Sequence, residues 1–187
     1  MKDENIQEVN FISPEKGEKM VEKDCPIENT LKLINGKWKS VIIYVEVKIL
    51  NEMTAQEWCR LAEERIKVFV VEQECPYQEI DEQDYQAHHL MLKNDQGDLV
   101  GYTRMLAKDD AHATFGRVLV LKQFRGHKYG RQLVQATIDE TKRLFPNKTI
   151  QIQAQAYLKE FYASFGFKPI SDVYLEDNIP HLDMVLD

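Results

Sequence analysis

The densest chemical signal in the chain is the stretch VLVLKQFRGHKYGRQL, residues 118–133. Val118, Leu119, Val120 and Leu121 read as the end of a buried strand, and Leu133 with Val134 opens the apolar face of a helix. Between them lie Arg125, Gly126, His127, Lys128, Tyr129, Gly130 and Arg131. The first turn of a helix leaves amide N–H groups without internal partners, and the helix dipole adds partial positive charge there. Glycine in such a turn lets a ligand approach the backbone closely. Arg125, Lys128 and Arg131 bring full positive charge to the same place. The combination suits a small phosphate or pyrophosphate. Two other phosphate motifs do not fit: there is no G-x-x-x-x-G-K-[ST], and no G-x-G-x-x-G after a strand. Nucleotide hydrolysis and dinucleotide redox chemistry lose their weight accordingly.

Composition narrows the remaining classes. The 187 residues carry 24 Lys plus Arg against 31 Asp plus Glu, a net charge of −7. Binding to nucleic acid is driven by phosphate neutralisation, so it calls for an extended basic surface. The only basic cluster is the short one around 122–131, and no nucleic-acid partner is expected. Cys25, Cys59 and Cys75 are too few and too scattered for a disulfide framework, which points to a reducing compartment and the cytoplasm. They show no zinc spacing with the histidines, and the acidic run Glu79, Asp81, Glu82 and Asp84 lacks the glycine and distal glutamate of a calcium loop. No metal is expected. The longest apolar run, Val41 to Val45, is far short of the roughly 20 residues that span a membrane.

These residues need elements to position them. Val45, Val47 and Ile49 alternate with Glu46 and Lys48, the pattern of a half-buried strand. Thr54 and Glu57 form a capping box before a helix carrying Trp58, Leu61, Ala62, Ile66, Phe69 and Val70, running to about Val71. His89–Lys93 and Leu99–Leu106 read as a hairpin around Asn94-Asp95-Gln96-Gly97. Ala113–Leu121 is a further strand, and a helix follows from about Lys128 to Phe145. Thr149–Gln155 is a strand, Leu158–Phe165 a short helix stopped by Gly166, and Phe167–Tyr174 and His181–Leu186 are closing strands. This order predicts an α/β fold, helices flanking one mixed central sheet.

The loop at 125–130 resembles the acetyl-CoA signature of the GCN5-related N-acetyltransferases, [RQ]-x-x-G-x-[GA]. Arg125 matches the first position and Gly130 the last, while Lys128 replaces the middle glycine. Either the Lys128 amide serves as the glycine's would, or its side chain reaches the phosphates. Three further segments are similar to the ElaA-type subgroup of this family: FVVEQECPYQEID at 69–81, QAQAYLKEFYASFGF at 153–167 and DNIPHLDM at 177–184. The resemblance covers about residues 45–187. It implies transfer of an acetyl group from acetyl-CoA, bound as co-substrate, to a primary amine of a small molecule or of a peptide or protein. It implies that the pyrophosphate lies on Arg125–Arg131, and the thioester along Val118, Leu119 and Val120, with backbone N–H near Val120 meeting the oxyanion. The pantetheine arm would pass between that strand and the strand ending at Gln155. Tyr162, in the matching FYASFGF segment, would protonate the departing CoA thiolate. Glu72, His89 and His181 are the candidates for the base, and water is the alternative to all three. The acidic residues at 79–84 and 176–177 are read as a solvated surface or as attraction for a cationic amine.

Residues 1–44 form an N-terminal extension ahead of the transferase domain at 45–187. The portion CPIENTLKLINGKWKSVIIY at 25–44 resembles the start of an HxlR-type winged-helix regulator, irregular or partly helical and too short to supply a recognition helix. Two rivals to an enzyme follow from these readings: an acyl-CoA-binding sensor on the same fold, and a transcription regulator, which the net charge disfavours. A homodimer is left open.

Overall fold

The computed structural model describes residues 42–187. The chain runs through β1 (Ile43–Ile49), α1 (Ala55–Ile66), β2 (His88–Asn94), β3 (Leu99–Ala107), β4 (His112–Val120), α2 (Tyr129–Leu144), β5 (Thr149–Gln155), α3 (Lys159–Ala163), β6 (Lys168–Pro169), β7 (Tyr174–Glu176) and β8 (Ile179–Leu186). The strands make one mixed sheet in the order β1-β2-β3-β4-β5-β8-β6, with β7 also paired to β8. The α/β class is present, as are the helices expected at 54–71, 128–145 and 158–165; the partly helical stretch expected before residue 42 lies outside the described residues. Strand boundaries shift by one or two residues, most tellingly at β1, which starts at Ile43, so that Ile43 and Tyr44 belong to the sheet rather than to the extension. The phenylalanine-led strand expected at 167–174 is instead two short pieces, β6 and β7, both pairing with β8.

Local chemistry accounts for the elements that matter to function. Thr54 caps α1 as read from the sequence: its Oγ1 accepts from the Glu57 amide at 3.1 Å, and Glu57 accepts from the Thr54 amide at 2.9 Å. The helix then continues to Glu72 as a π-helical turn, Lys67–Glu72. Wide turns of this kind commonly occur at functional sites. Between β2 and β3, the Asn94 side chain accepts from the amides of Gln96 and Asp98, and Gly97 takes the positive φ of 81° that closes the turn.

Two apolar layers sandwich the sheet. On one face α2 and α3 cover Leu90, Leu92, Met105, Phe115, Ile150, Ile152 and Met184, with Leu133 of α2 packed among them. On the other, α1 covers Met91, Tyr102, Leu119 and Leu121 through Leu61. Helix α2 packs tightly, since a Cβ on Gly101 would lie 3.0 Å from the Leu119 carbonyl and 3.2 Å from Leu133.

The central irregularity is at β4. Strands β4 and β5 are parallel but pair only at His112–Thr149 and Ala113–Ile150. Beyond Ala113 no ladder joins them, so the sheet opens along the rest of β4. On its other side β4 carries a bulge. Arg104 faces Gly116, yet Tyr102 faces Leu119, so one extra residue is accommodated there, and Arg117 has a φ of 54°. A bulge bends its strand and disrupts the ladder locally. Both features divide β4 between a paired N-terminal part and a free C-terminal part, which feeds directly into the glycine-bearing loop.

Candidate active site

The opening between β4 and β5 is a cleft of about 420 Å³. Thr114, Gly116 and Val118 line it from β4, Gln153 and Gln155 from β5, and Tyr162 from α3. Gly116 has no atom within 4 Å of where a Cβ would stand, so this part of the wall is open. Tyr162 is 6% exposed and packs against Phe115, Phe161 and Phe167. Burial, with a smaller contribution from Tyr157, pushes its phenol well above the ordinary tyrosine value. The hydroxyl therefore holds its proton at neutral pH, and among the described residues it has no hydrogen-bond partner, which suits a group that gives a proton to a ligand.

The loop that follows β4 leaves a run of backbone amides without partners, a geometry suited to an anion. Among the described residues, the backbone amides of Gly126 through Gly130 find no acceptor. Gly126 has a φ of 83°. Lys128 sits at φ 63°, ψ 13°, a left-handed conformation at the start of α2. Glycine adopts that conformation freely, and a lysine there costs on the order of 1 kcal/mol. The backbone geometry survives the replacement of the signature's middle glycine, and the Lys128 side chain is left exposed. A Cβ on Gly130 would meet nothing closer than 4.0 Å, so the fold itself does not require glycine there. Arg131 is exposed, donates to Ser164 at 2.9 Å and stacks over Phe165 at 4.7 Å. Arg125 donates from Nε to the Val120 carbonyl at 2.9 Å and pairs through both terminal nitrogens with Glu72. His127 folds back on the loop, Nδ1 3.0 Å from the Arg125 carbonyl, with its ring stacked on Tyr129.

The other predicted cofactor residues divide by side chain and backbone. Val118 and Gln155 line the cleft, and Gln155 donates to Gln73 at 3.4 Å. Leu119 buries its side chain in the α1 layer, so its contribution to a ligand is confined to its backbone. Val120 turns its side chain to the α2 layer. Tyr129 is 9% exposed and packs on Phe124, which leaves its amide, not its hydroxyl, for a phosphate.

Of the three base candidates, the structure brings only His181 to the cleft. Its Nδ1 lies 2.9 Å from the Ile179 carbonyl, so a neutral ring donates there and carries its lone pair on Nε2. His89 does not qualify. It is fully buried, with Nδ1 2.7 Å from the Tyr102 hydroxyl and Nε2 3.1 Å from the Asp84 carbonyl, and burial depresses its pKa. Both nitrogens serve the core. Glu72 is not among the residues lining the cleft, and the Arg125 guanidinium paired with it holds its carboxyl below the ordinary range.

The acidic segment at 79–84 departs furthest from expectation. Glu79 and Asp84 are 3% and 2% exposed rather than solvated. Arg65, fully buried on α1, donates to Glu79 at 2.6 Å and to Asp84 at 2.7 and 3.2 Å. Arg104 on β3 donates to Asp81 at 2.7 Å and to Asp84 at 3.0 Å. Arg117, on the bulge, pairs with Glu79 and stacks over Tyr77. Burial raises the Asp84 carboxyl, but Arg65 and Arg104 more than offset it and hold the group below its ordinary value. Three guanidinium groups thus meet three carboxylates, and the set is neutral. Arg104 and Arg117 also line the cleft, so this network is its wall. Arg65 stands in register with Leu61 on the apolar face of α1, and Arg104 interrupts an apolar strand. Those two positions were the available sequence signal for it.

Comparison with known proteins gives this geometry a family. The family model for an acetyltransferase (GNAT) domain matches residues 50–187. The chain belongs to the GNAT acetyltransferases. It is 43% identical to the protein ElaA of Escherichia coli over 139 residues, 72% of this chain and 90% of that one. The crystal structure of E. coli ElaA superposes with a TM-score of 0.72, covering 78% of this chain and 99% of that one at 38% identity. An acyl-CoA N-acyltransferase from Pseudomonas aeruginosa superposes equally well, with a TM-score of 0.72, 37% identity and coverage of 76% and 98%. The GNAT match starts at residue 50, and the winged-helix resemblance of residues 25–44 gains no support; residues 1–41 lie outside the described structure. Membership of the family makes this an acyltransferase of acyl-CoA. Among the described residues no group of side chains is arranged to hold a metal, and no helix is long and apolar enough to cross a membrane.

Proposed function

We propose that this GNAT transfers an acetyl group from acetyl-CoA to a primary amine by direct attack on the thioester. The observation that carries the reading is the unpaired opening between β4 and β5, with Tyr162 at its wall, followed in the chain by the loop whose amides 126–130 have no partners among the described residues. The pyrophosphate binds these amides as its cradle, together with the adjacent Lys128 and Arg131. The pantetheine arm enters the opening, where it takes up strand-like hydrogen bonds that β5 does not make.

The steps follow from charge. The acceptor amine, with an ordinary pKa of about 10.4, must first lose a proton. His181 Nε2, or water in the cleft, takes it. The nitrogen lone pair then attacks the thioester carbon, and the carbonyl electrons move onto oxygen. Backbone N–H of β4 near Val120 stabilises that oxyanion. The attacking nitrogen, now positively charged, gives its second proton to water in the cleft, and collapse re-forms the carbonyl and breaks the C–S bond. The CoA thiolate takes the Tyr162 proton, and solvent reprotonates the tyrosinate. The products are an amide and free CoA. Glu176 and Asp177 also line the cleft, and among the described residues neither has an ion-pair partner. They suit attraction of a cationic acceptor, unlike the neutralised 79–84 segment. A cytoplasmic setting and either a monomeric or a homodimeric assembly are compatible with this chemistry.

The test is release of free CoA thiol from acetyl-CoA with a panel of small amines, peptides with free N-termini and lysine peptides. At least one class should give turnover well above acetyl-CoA hydrolysis. CoA binding without turnover for every class would favour the acyl-CoA sensor instead.

A further inference from the structure

The contact between Glu72 and Arg125 joins two parts of the molecule that the sequence places 53 residues apart. Glu72 ends the π-helical turn 67–72. Phe69 and Gln73 on the same segment line the cleft, and Gln73 accepts from Gln155 on β5 at 3.4 Å. The turn is therefore tied to β5 on one side of the opening and, through Glu72, to the loop after β4 on the other. Arg125 uses its whole fork in this: Nε goes to the Val120 carbonyl at 2.9 Å, and the terminal nitrogens go to both Glu72 oxygens, one at 3.1 Å. A planar guanidinium held from three nitrogens fixes an orientation in a way that a point charge does not. The unpaired amides begin at the next residue, Gly126.

We infer that Glu72 is a positioning residue for acyl-CoA: through Arg125 it sets the cradle loop against the end of β4, and Arg125 acts as a strut rather than as a phosphate ligand. The inference rests on the acyl-CoA reading of the cleft. Two opposing effects decide what removal of Glu72 would do. Losing a carboxylate near a phosphate site favours the anion, but the pair is exposed at 38% and 42% of its side-chain surfaces, so water and salt screen that gain. Losing the strut leaves the first residue of the loop without its second anchor, so the loop must be ordered when the ligand binds. The second effect is the larger in this account.

The experiment is calorimetric titration of the full chain with coenzyme A, for the unaltered protein, Glu72→Ala and Glu72→Gln, together with kcat and the KM for acetyl-CoA. Glu72→Ala should weaken CoA binding about fivefold or more and raise KM in parallel, with kcat at saturation within about twofold. Glu72→Gln, which keeps one acceptor for Arg125, should lose less. Tighter or unchanged binding in both variants would overturn the strut, because Arg125 would then be a phosphate ligand restrained by Glu72, or neither. A fall in kcat with unchanged CoA affinity would overturn it in favour of Glu72 as base. Failure of the unaltered protein to bind CoA would instead remove the acyl-CoA reading itself. Glu72 is exposed and outside the core, and equal thermal midpoints for the three proteins check that each is folded.

Discussion

Two charged loops, one packed on Arg104 and Arg117 of the cleft wall and one following β4, use charge in opposite ways. In the segment 79–84, Glu79 and Asp84 are buried and Asp81 is half-buried, and all three are neutralised by Arg65, Arg104 and Arg117. In the segment 125–131, Arg125, Lys128 and Arg131 are exposed, and Glu72 is the only carboxylate that pairs with any of them among the described residues. The first loop is a finished electrostatic structure that shapes a wall. The second is unfinished: among the described residues, five backbone amides have no acceptor and Lys128 and Arg131 have no ion-pair partner, which is the charge the proposed pyrophosphate site would use. A run of like charges in a sequence therefore says little until its partners are known: buried charge is compensated charge, and binding capacity resides where compensation is missing.

The sharpest way to break this contrast is to unbalance the finished network. Arg65→Leu leaves Glu79 and Asp84 buried against a lost partner. It should cost about 3–5 kcal/mol of folding free energy, read from equilibrium urea denaturation. The matching change in the unfinished loop should spare stability and cost binding. Lys128→Ala combined with Arg131→Ala should weaken CoA affinity about tenfold, near 1.4 kcal/mol, with little change in thermal midpoint. Salt separates the loops further: CoA affinity should fall between 50 and about 300 mM salt, while the urea midpoint shifts little. The smallest effect is in pH. His89 is depressed by burial and faces Tyr102, Asp84 and Arg65, so its stability contribution is present above its ordinary value of about 6.5 and is lost as pH falls through the depressed one. Asp84 is also depressed, so its contribution is present above about 3.9 and is lost at still lower pH. Stability measured against pH should therefore be flat near neutrality and decline on acidification, first through the histidine and then through the aspartate.

The elements were legible because their signals are local. Thr54 with Glu57, the Asn94–Gly97 turn and the glycine-bearing start of α2 depend on residues within a few positions of each other. The cradle was legible for the same reason. What escaped was non-local. The 79–84 loop needs Arg65 from α1, Arg104 from β3 and Arg117 from a bulge, and no periodicity connects those positions. Nor does any pattern show that β4 and β5 part after Ala113, since both read as ordinary strands. Among the base candidates, His89 and Glu72 stand on elements placed correctly, yet each is engaged by a distant partner, Tyr102 and Arg125. A residue's type marks it as able to do chemistry; its partners determine whether it remains available.

The most direct test of the central claim, that the opening between β4 and β5 is where an acyl-CoA thioester reacts, is Tyr162→Phe with an amine that the unaltered enzyme accepts. The substitution removes one oxygen from a buried ring and leaves the cradle untouched. Loss of a positioned proton donor should lower kcat by about 100-fold or more, while CoA affinity stays within about twofold. Full turnover by Tyr162→Phe would contradict the assignment of Tyr162 and the placement of the thioester beside it.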